Sequence, residues 1–179
     1  MRLVQSTLVS LNGVAGAPHE WTGAHFGPIT AARSLATLRH CSAMLMGRRT
    51  YEVFSSLWPS GGGEYADYLN AMRKVVFSST LHHAEWNNTT VESGAVVETV
   101  TAMKAEPGPD LIVYGHGRFG QTLVDAGLVD ELTITVIPVF VDGEPFFRPG
   151  PRARQWHLAG TERVESDTVA LTYHPAIDA

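Results

Sequence analysis

Three short stretches carry the residues best suited to chemistry. MGRRTY, Met46–Tyr51, sets the guanidinium forks of Arg48 and Arg49 and the hydroxyl of Thr50 behind Gly47. FSST, Phe77–Thr80, offers Ser78 and Ser79, and GHGRFGQT at 115–122 spaces Gly115, Gly117 and Gly120 as G-x-G-x-x-G. Guanidinium groups meet phosphates through paired, charge-assisted hydrogen bonds. A glycine turn that opens a helix leaves unpaired N–H groups for an anion. Taken singly, each stretch reads more readily as solvated surface or an ordinary turn. All three, however, follow apolar runs that read as strands, and ligands of such sheets gather outside the carboxyl ends of the strands. One long anionic ligand could then touch all three, and a dinucleotide is the natural candidate.

The elements that must position these loops alternate between strand and helix patterns, as in an α/β sheet with helices packed on it. A first strand is expected over 2–11 and a helix over 28–40, with Pro28 near its start and Ile29, Ala32 and Leu35 at helical spacing. SAMLMG (42–47) reads as a strand; Tyr51, Phe54 and Trp58 form the aromatic face of a short helix from Thr50, and another helix follows near 64–72. RKVVFSS (73–79), NTTVES and LIVY read as strands, with a helix at 95–105 between the last two. The helix of the glycine turn carries Phe119, Leu123 and Ala126 on one face and ends at Gly127, a C-terminal glycine position. LTITVIPVFVD is expected as one long strand, FRPGPRAR (147–154) as a proline-rich connection, and the end of the chain as an antiparallel hairpin.

With 179 residues, 44% apolar and 17% charged, the chain is expected to form one domain over 1–179 with a single sizeable core. A net charge of −5 argues against general affinity for nucleic acid or an anionic membrane. A single cysteine, Cys41, excludes an internal disulfide framework and multi-cysteine zinc sites. The start MRLVQSTLVSLNG is broken by polar residues and reads as a strand rather than an export signal, so a cytoplasmic protein is expected. LTITVIPVFV is ten residues long, too short to span a bilayer, which takes about 20.

The ordered set GRRTY, KVVFSSTL, WNNTTV, LIVYGHGRFGQTLVDAGLVDEL and TVIPVFVDGEPFF resembles the dihydrofolate-reductase-like family that includes the reductase domain of riboflavin biosynthesis and its stand-alone bacterial relatives. The resemblance extends from SLNG near the start to the final hairpin. It implies a three-layer α/β/α fold with a mostly parallel mixed sheet of about eight strands, an antiparallel C-terminal hairpin, and NADPH across the strand ends. It further implies that Gly47, Arg48, Arg49 and Thr50 meet the cofactor phosphates and that Ser78 and Ser79 lie near the adenosine 2′-phosphate. The turn and helix of Gly115, His116, Gly117, Arg118, Phe119, Gln121 and Thr122 would carry the pyrophosphate. A fingerprint of the Rossmann type would belong to an early βαβ unit, and here more than a hundred residues precede the glycines.

Two positions depart from the family pattern. His116 follows Gly115 where Gly-Gly with a cis peptide is common, and Asn12 stands where S-L-D-G has an acid; Asn can hydrogen-bond a substrate but is no carboxylate base. Dihydrofolate reductases resemble one another in an acid on the first helix, yet no acidic residue falls between Glu20 and Glu52, which counts against folate. Asn12, Trp21, Phe26, Phe54 and Trp58 are the candidate substrate residues, the aromatics offering flat faces to a ring, with Asn12 the candidate catalytic residue. His83-Ala84-Glu85 lacks the P-C-x-x-C partner of a zinc deaminase, and the eight histidines show no metal-binding spacing, so no metal is expected. The expected activity is hydride transfer from NADPH to a small heterocyclic or ribosylamino-pyrimidine-like substrate. The alternatives are a dihydrofolate reductase and a non-catalytic NADP-binding or regulatory protein. Relatives of this kind are often dimeric, and the apolar LTITVIPVFV adds to the expectation of a homodimer.

Overall fold

The structure, a computed structural model, describes residues 1–146, 154–165 and 167–176. Its strands are β1 (Leu3–Ser10), β2 (Cys41–Gly47), β3 (Arg73–Phe77), β4 (Thr89–Glu92), β5 (Asp110–Tyr114), β6 (Glu131–Ile137), β7 (Trp156–Arg163) and β8 (Val169–Pro175). The helices are α1 (Pro18–Trp21), α2 (Pro28–Leu38), α3 (Arg48–Leu57), α4 (Glu64–Ala71), α5 (Val96–Ala105) and α6 (Gly117–Asp125). One eight-stranded sheet has the order β4-β3-β2-β5-β1-β6-β8-β7. The first six strands of the chain pair in parallel; β8 is antiparallel to β6, and β7 to β8.

Strand periodicity builds the three layers. Successive side chains point to opposite faces, so Ala43, Leu45, Val75, Phe77, Leu111 and Val113 join one buried cluster with Val100 of α5 and Leu123 of α6. Their alternates Met44, Met46, Val76 and Ile112 join a second cluster with Leu38, Tyr51 and Leu69 from α2, α3 and α4. Lys74 is buried among these elements: its Nζ donates to the carbonyls of Leu69, Met72 and Asn70 at 2.7, 2.8 and 3.1 Å, closing the end of α4. The same ammonium lies 4.3 Å from the ring centroid of Trp86. Burial pushes its pKa down to about 8.

Most element bounds shift by a residue or two from expectation, but three differences matter. LTITVIPVFVD is not one strand: β6 stops at Ile137, where Pro138 removes a ladder donor. Residues 138–146 instead turn to meet the loop after β1, with Leu11 N–H bonded to Val139 O and a bridge between Val14 and Pro145. Secondly, the inward face of α2 is Thr30, Leu35 and Leu38, whereas Ile29 is 57% exposed and Ala32 is exposed. Thirdly, Ala126 is an exposed cap residue rather than part of the buried face of α6. Gly127 closes that helix as expected, its N–H bonding Val124 O while Leu128 N–H bonds Leu123 O. The connection expected at 147–153 lies outside the described residues, among which no helix is long and apolar enough to cross a membrane.

Candidate cofactor and substrate site

The topology brings the three loops together. β3, β2 and β5 are neighbouring parallel strands, and each ends at one of them: Phe77 before Ser78, Gly47 before Arg48, Tyr114 before Gly115. Phe119, in the first turn of α6, joins the set. Its ring stacks on Phe77 with centroids 4.9 Å apart and planes 25° apart, and a Cβ built on Gly47 would lie 3.1 Å from the Phe119 Cβ. Neither α3 nor α6 has a side-chain cap or an acid in its first turn. Their first N–H groups therefore converge on one edge of the sheet, an arrangement suited to an anion.

The turn after β5 is held from beneath. Gly115 has φ 77°, a left-handed conformation that favours glycine. Buried Gln5 on β1 donates from Nε2 to Gly115 O at 3.2 Å and to His116 Nδ1 at 2.7 Å. With Nδ1 accepting, the imidazole proton is assigned to Nε2, which faces Gln121 Oε1 at 3.0 Å; Gln121 in turn donates to Asp125 at 2.8 Å. Every peptide bond among the described residues is trans, the Gly115–His116 bond included. Phe119 and Gln121 are thus tied into the protein, and the Thr122 hydroxyl donates back to Arg118 O at 2.9 Å.

The charged groups are more open. Arg48 Nε lies 3.6 Å from Glu52 one helical turn on, and Arg49 lies 3.8 Å from Glu144 of the segment after β6. Arg118 is exposed at the start of α6, and Ser79 is exposed beside Ser78. The Ser78 oxygen accepts from the N–H groups of Leu81 at 2.9 Å and Thr80 at 3.2 Å, shaping its own turn. Asn12 reaches the same sheet edge, where its amide acts as a clamp. Oδ1 accepts from the Ser10 hydroxyl and Val141 N–H at 2.8 and 3.2 Å, and Nδ2 donates to Val141 O at 2.8 Å.

Of the aromatic candidates, Phe26, Phe54 and Trp58 come together and Trp21 stands apart, its indole N–H donating to Gly16 O at 2.7 Å. The cluster gains two residues that the sequence reading did not select, Tyr65 of α4 and Tyr114 of β5. Phe54 lies 6.2 Å from Trp58 and 6.0 Å from Tyr114, while Tyr65 lies 5.0 Å from Trp58 and 6.1 Å from Phe26, centroid to centroid. Burial pushes the Tyr65 phenol up to about 12. A groove of about 720 Å³ lined by Tyr51, Asn70, His83 and Trp86 meets the three stretches only at Tyr51, the end of the first. Polar groups in it already pair with each other, as Trp86 Nε1 does with Asn70 Oδ1 at 2.6 Å.

A carboxylate also arrives from a distance. Glu165, between β7 and β8, accepts through Oε1 from the N–H and hydroxyl of Thr30 at 3.0 and 3.2 Å, capping the start of α2. No local pattern signals this pairing, since 135 positions separate the two residues. Among the described residues no group of His, Cys, Asp or Glu side chains could hold a metal ion.

A mixed sheet of this order, with its hairpin edge and helices on both faces, is the dihydrofolate-reductase-like fold. The chain belongs to the RibD C-terminal domain family, which it matches over residues 2–170. It is similar in structure to a putative riboflavin biosynthesis protein from Shewanella sp. PV-4, with a TM-score of 0.82 and 20% identity over 99% of this chain and 100% of that one. It also resembles a pyrimidine reductase-like protein from Corynebacterium diphtheriae, with a TM-score of 0.72 and 14% identity over 99% and 92% of the two chains. Dihydrofolate reductase from Enterococcus faecalis, complexed with NADP(H), gives a TM-score of 0.65 and 16% identity over 97% and 96%. In sequence, the uncharacterized protein YyaP of Bacillus subtilis (strain 168) is 25% identical over 143 residues, 76% of each chain. Family and fold together are of the oxidoreductase type.

Proposed function

We propose that the chain is an NADPH-dependent reductase of a small planar substrate, of the riboflavin-reductase type. The observation that carries this reading is the convergence of two uncapped helix starts and the Ser78 turn on three adjacent strand ends, joined by Phe119. The N–H groups at the starts of α3 and α6 would hold the cofactor's phosphates, and the close approach of Gly47 to Phe119 leaves no bulk between the two turns. Arg48, with Ser78 and Ser79, would take the 2′-phosphate, and no acid stands in GRRTY or FSST to select a ribose diol instead. When bound, NADPH supplies the hydride. The protein's part is positioning and exclusion of water by the aromatic cluster, with Asn12 fixing the loops at the sheet edge.

Calorimetric titration of wild type and Arg48→Ala with NADPH and NADH tests the reading. NADPH affinity is expected to fall roughly ten- to a hundredfold in the variant, the worth of one or two charge-assisted contacts. NADH should bind both proteins nearly equally. Equal losses would move Arg48 to the pyrophosphate, and failure of wild type to bind NADPH would end the proposal. The Glu165 carboxylate at the start of α2 favours dihydrofolate reduction as a second reading, because a pterin presents amino and ring N–H donors that a carboxylate can accept.

A further inference from the structure

Gln5 is completely buried in β1, yet its Oε1 has no hydrogen-bond partner. Leu3 and Val9, on the same face of the strand, belong to the apolar core. A buried carbonyl left unpaired costs stability, so an apolar side chain would suit position 5 better if packing alone decided it. What the amide gains lies on its other atom. Nε2 donates to both residues that lead into α6, to Gly115 O at 3.2 Å and to His116 Nδ1 at 2.7 Å. Reversing the amide would set Oε1 against the Gly115 carbonyl, so the contact with Gly115 fixes which atom faces the turn.

The turn has little rigidity of its own. Gly115 and Gly117, with φ 77° and 47°, flank His116, and glycine loses more conformational freedom than any other residue when its backbone is fixed. His116 is the N-cap of α6, its carbonyl accepting from Gly120 N–H at 2.6 Å. Whatever holds His116 therefore also holds the first N–H groups of the helix. β1 does so at two adjacent residues: Ser6 O accepts the Gly115 N–H at 3.0 Å, and Gln5 takes the Gly115 carbonyl and the imidazole. Through His116 Nε2 and Gln121 Oε1, 3.0 Å apart, the brace runs on into the second turn of α6.

We propose that Gln5 is a positioning residue for the cofactor's pyrophosphate: through Gly115 and His116 it holds the start of α6 in the anion-binding form before the cofactor arrives. The inference rests on the reductase reading for the identity of the ligand. It adds a residue that acts from beneath the turn, buried out of the ligand's reach. A site ordered in advance binds more tightly, because less freedom is lost on binding. The pyrophosphate is common to NADPH and NADH, so Gln5 acts on both cofactors alike, whereas Arg48 acts on the 2′-phosphate and hence on NADPH alone.

Calorimetric titration of wild type, Gln5→Met, His116→Ala and the double variant with NADPH and NADH tests this, together with nitrogen NMR of the histidine rings. Methionine keeps the length of glutamine without its N–H group. Gln5→Met is expected to bind both cofactors roughly tenfold more weakly, the effect of one lost hydrogen bond. In the His116→Ala background the same change should cost only about threefold, because one of the two bonds is already gone. Wild-type His116 should carry its ring proton on Nε2, and Gln5→Met should lose that single form. Affinities unchanged within about twofold, a loss confined to NADPH, full additivity of the two changes, or a wild-type ring proton on Nδ1 would each overturn the proposal. If Gln5→Met does not fold, His116→Ala breaks the same brace from the side of the turn and must by itself weaken both cofactors alike; no loss there overturns the proposal. When wild type binds NADPH in these cases only this proposal fails, and when wild type binds neither cofactor the reductase reading fails with it.

Discussion

Gly120 shows how closely single residues determine the glycine turn. A Cβ built there would lie 2.7 Å from Gln5 Nε2 and 3.3 Å from His116 Nδ1, the two atoms that support the turn from beneath. Gly120→Ala must therefore displace a buried amide that bonds both Gly115 and His116. We expect a loss of about 1–3 kcal/mol, typical of overpacking, together with weaker NADPH binding. Urea denaturation of the two proteins checks the first and titration the second. Unchanged stability would mean that Gln5 can step aside without loss.

At the scale of elements, the opposite edge of the sheet is fastened by charge. Glu131, which opens β6, accepts from Arg2 at 2.8 Å and lies 3.2 Å from His174 Nε2 on β8, joining the start of β1 to two neighbouring strands. Burial alone would raise its pKa, but the hydrogen bonds from Arg2 and His174 outweigh it and hold the carboxyl below its ordinary value. A depressed pKa gives stability that is complete above the unfolded carboxylate range and is lost as pH falls through the folded value. Glu131→Gln should thus cost up to about 1 kcal/mol at neutral pH, as partly exposed ion pairs do. The gap from wild type should close on acidification, and NADPH affinity should not change. Thermal unfolding across pH measures this; a gap that widens in acid would show the sign to be wrong.

For the whole molecule, a ligand that bridges three loops should stabilise the fold that brings them together. NADPH at a hundred times its Kd is expected to add about 2.7 kcal/mol, which for a chain of this size is a rise in Tm of roughly 5–10 °C. Differential scanning calorimetry with and without the cofactor gives the number, and no shift at saturation would contradict the site. Of the apolar LTITVIPVFV, which adds to the expectation of a homodimer, the part in β6 is buried within the sheet and the part beyond it is not. β6 lies inside the sheet between β1 and β8, and Leu132, Ile134 and Ile137 are buried there, while Phe140 beyond the strand is 77% exposed.

What the sequence by itself determined is local. Alternating runs specify the strands because side-chain direction has period two, and Gly127 specifies a helix end because it adopts positive φ at little cost. The tertiary structure decided what depends on partners far apart in the chain. The inward face of α2 departs from its apolar spacing because Thr30 turns inward to meet Glu165, a polar contact that apolar periodicity does not register. Beyond Pro138 the chain turns back toward Asn12, whose amide holds Val141, a contact across 129 positions that no local pattern encodes. Tyr65 and Tyr114 became part of the aromatic site because sheet order and helix packing bring α4 and β5 together, and no spacing along the chain encodes that contact.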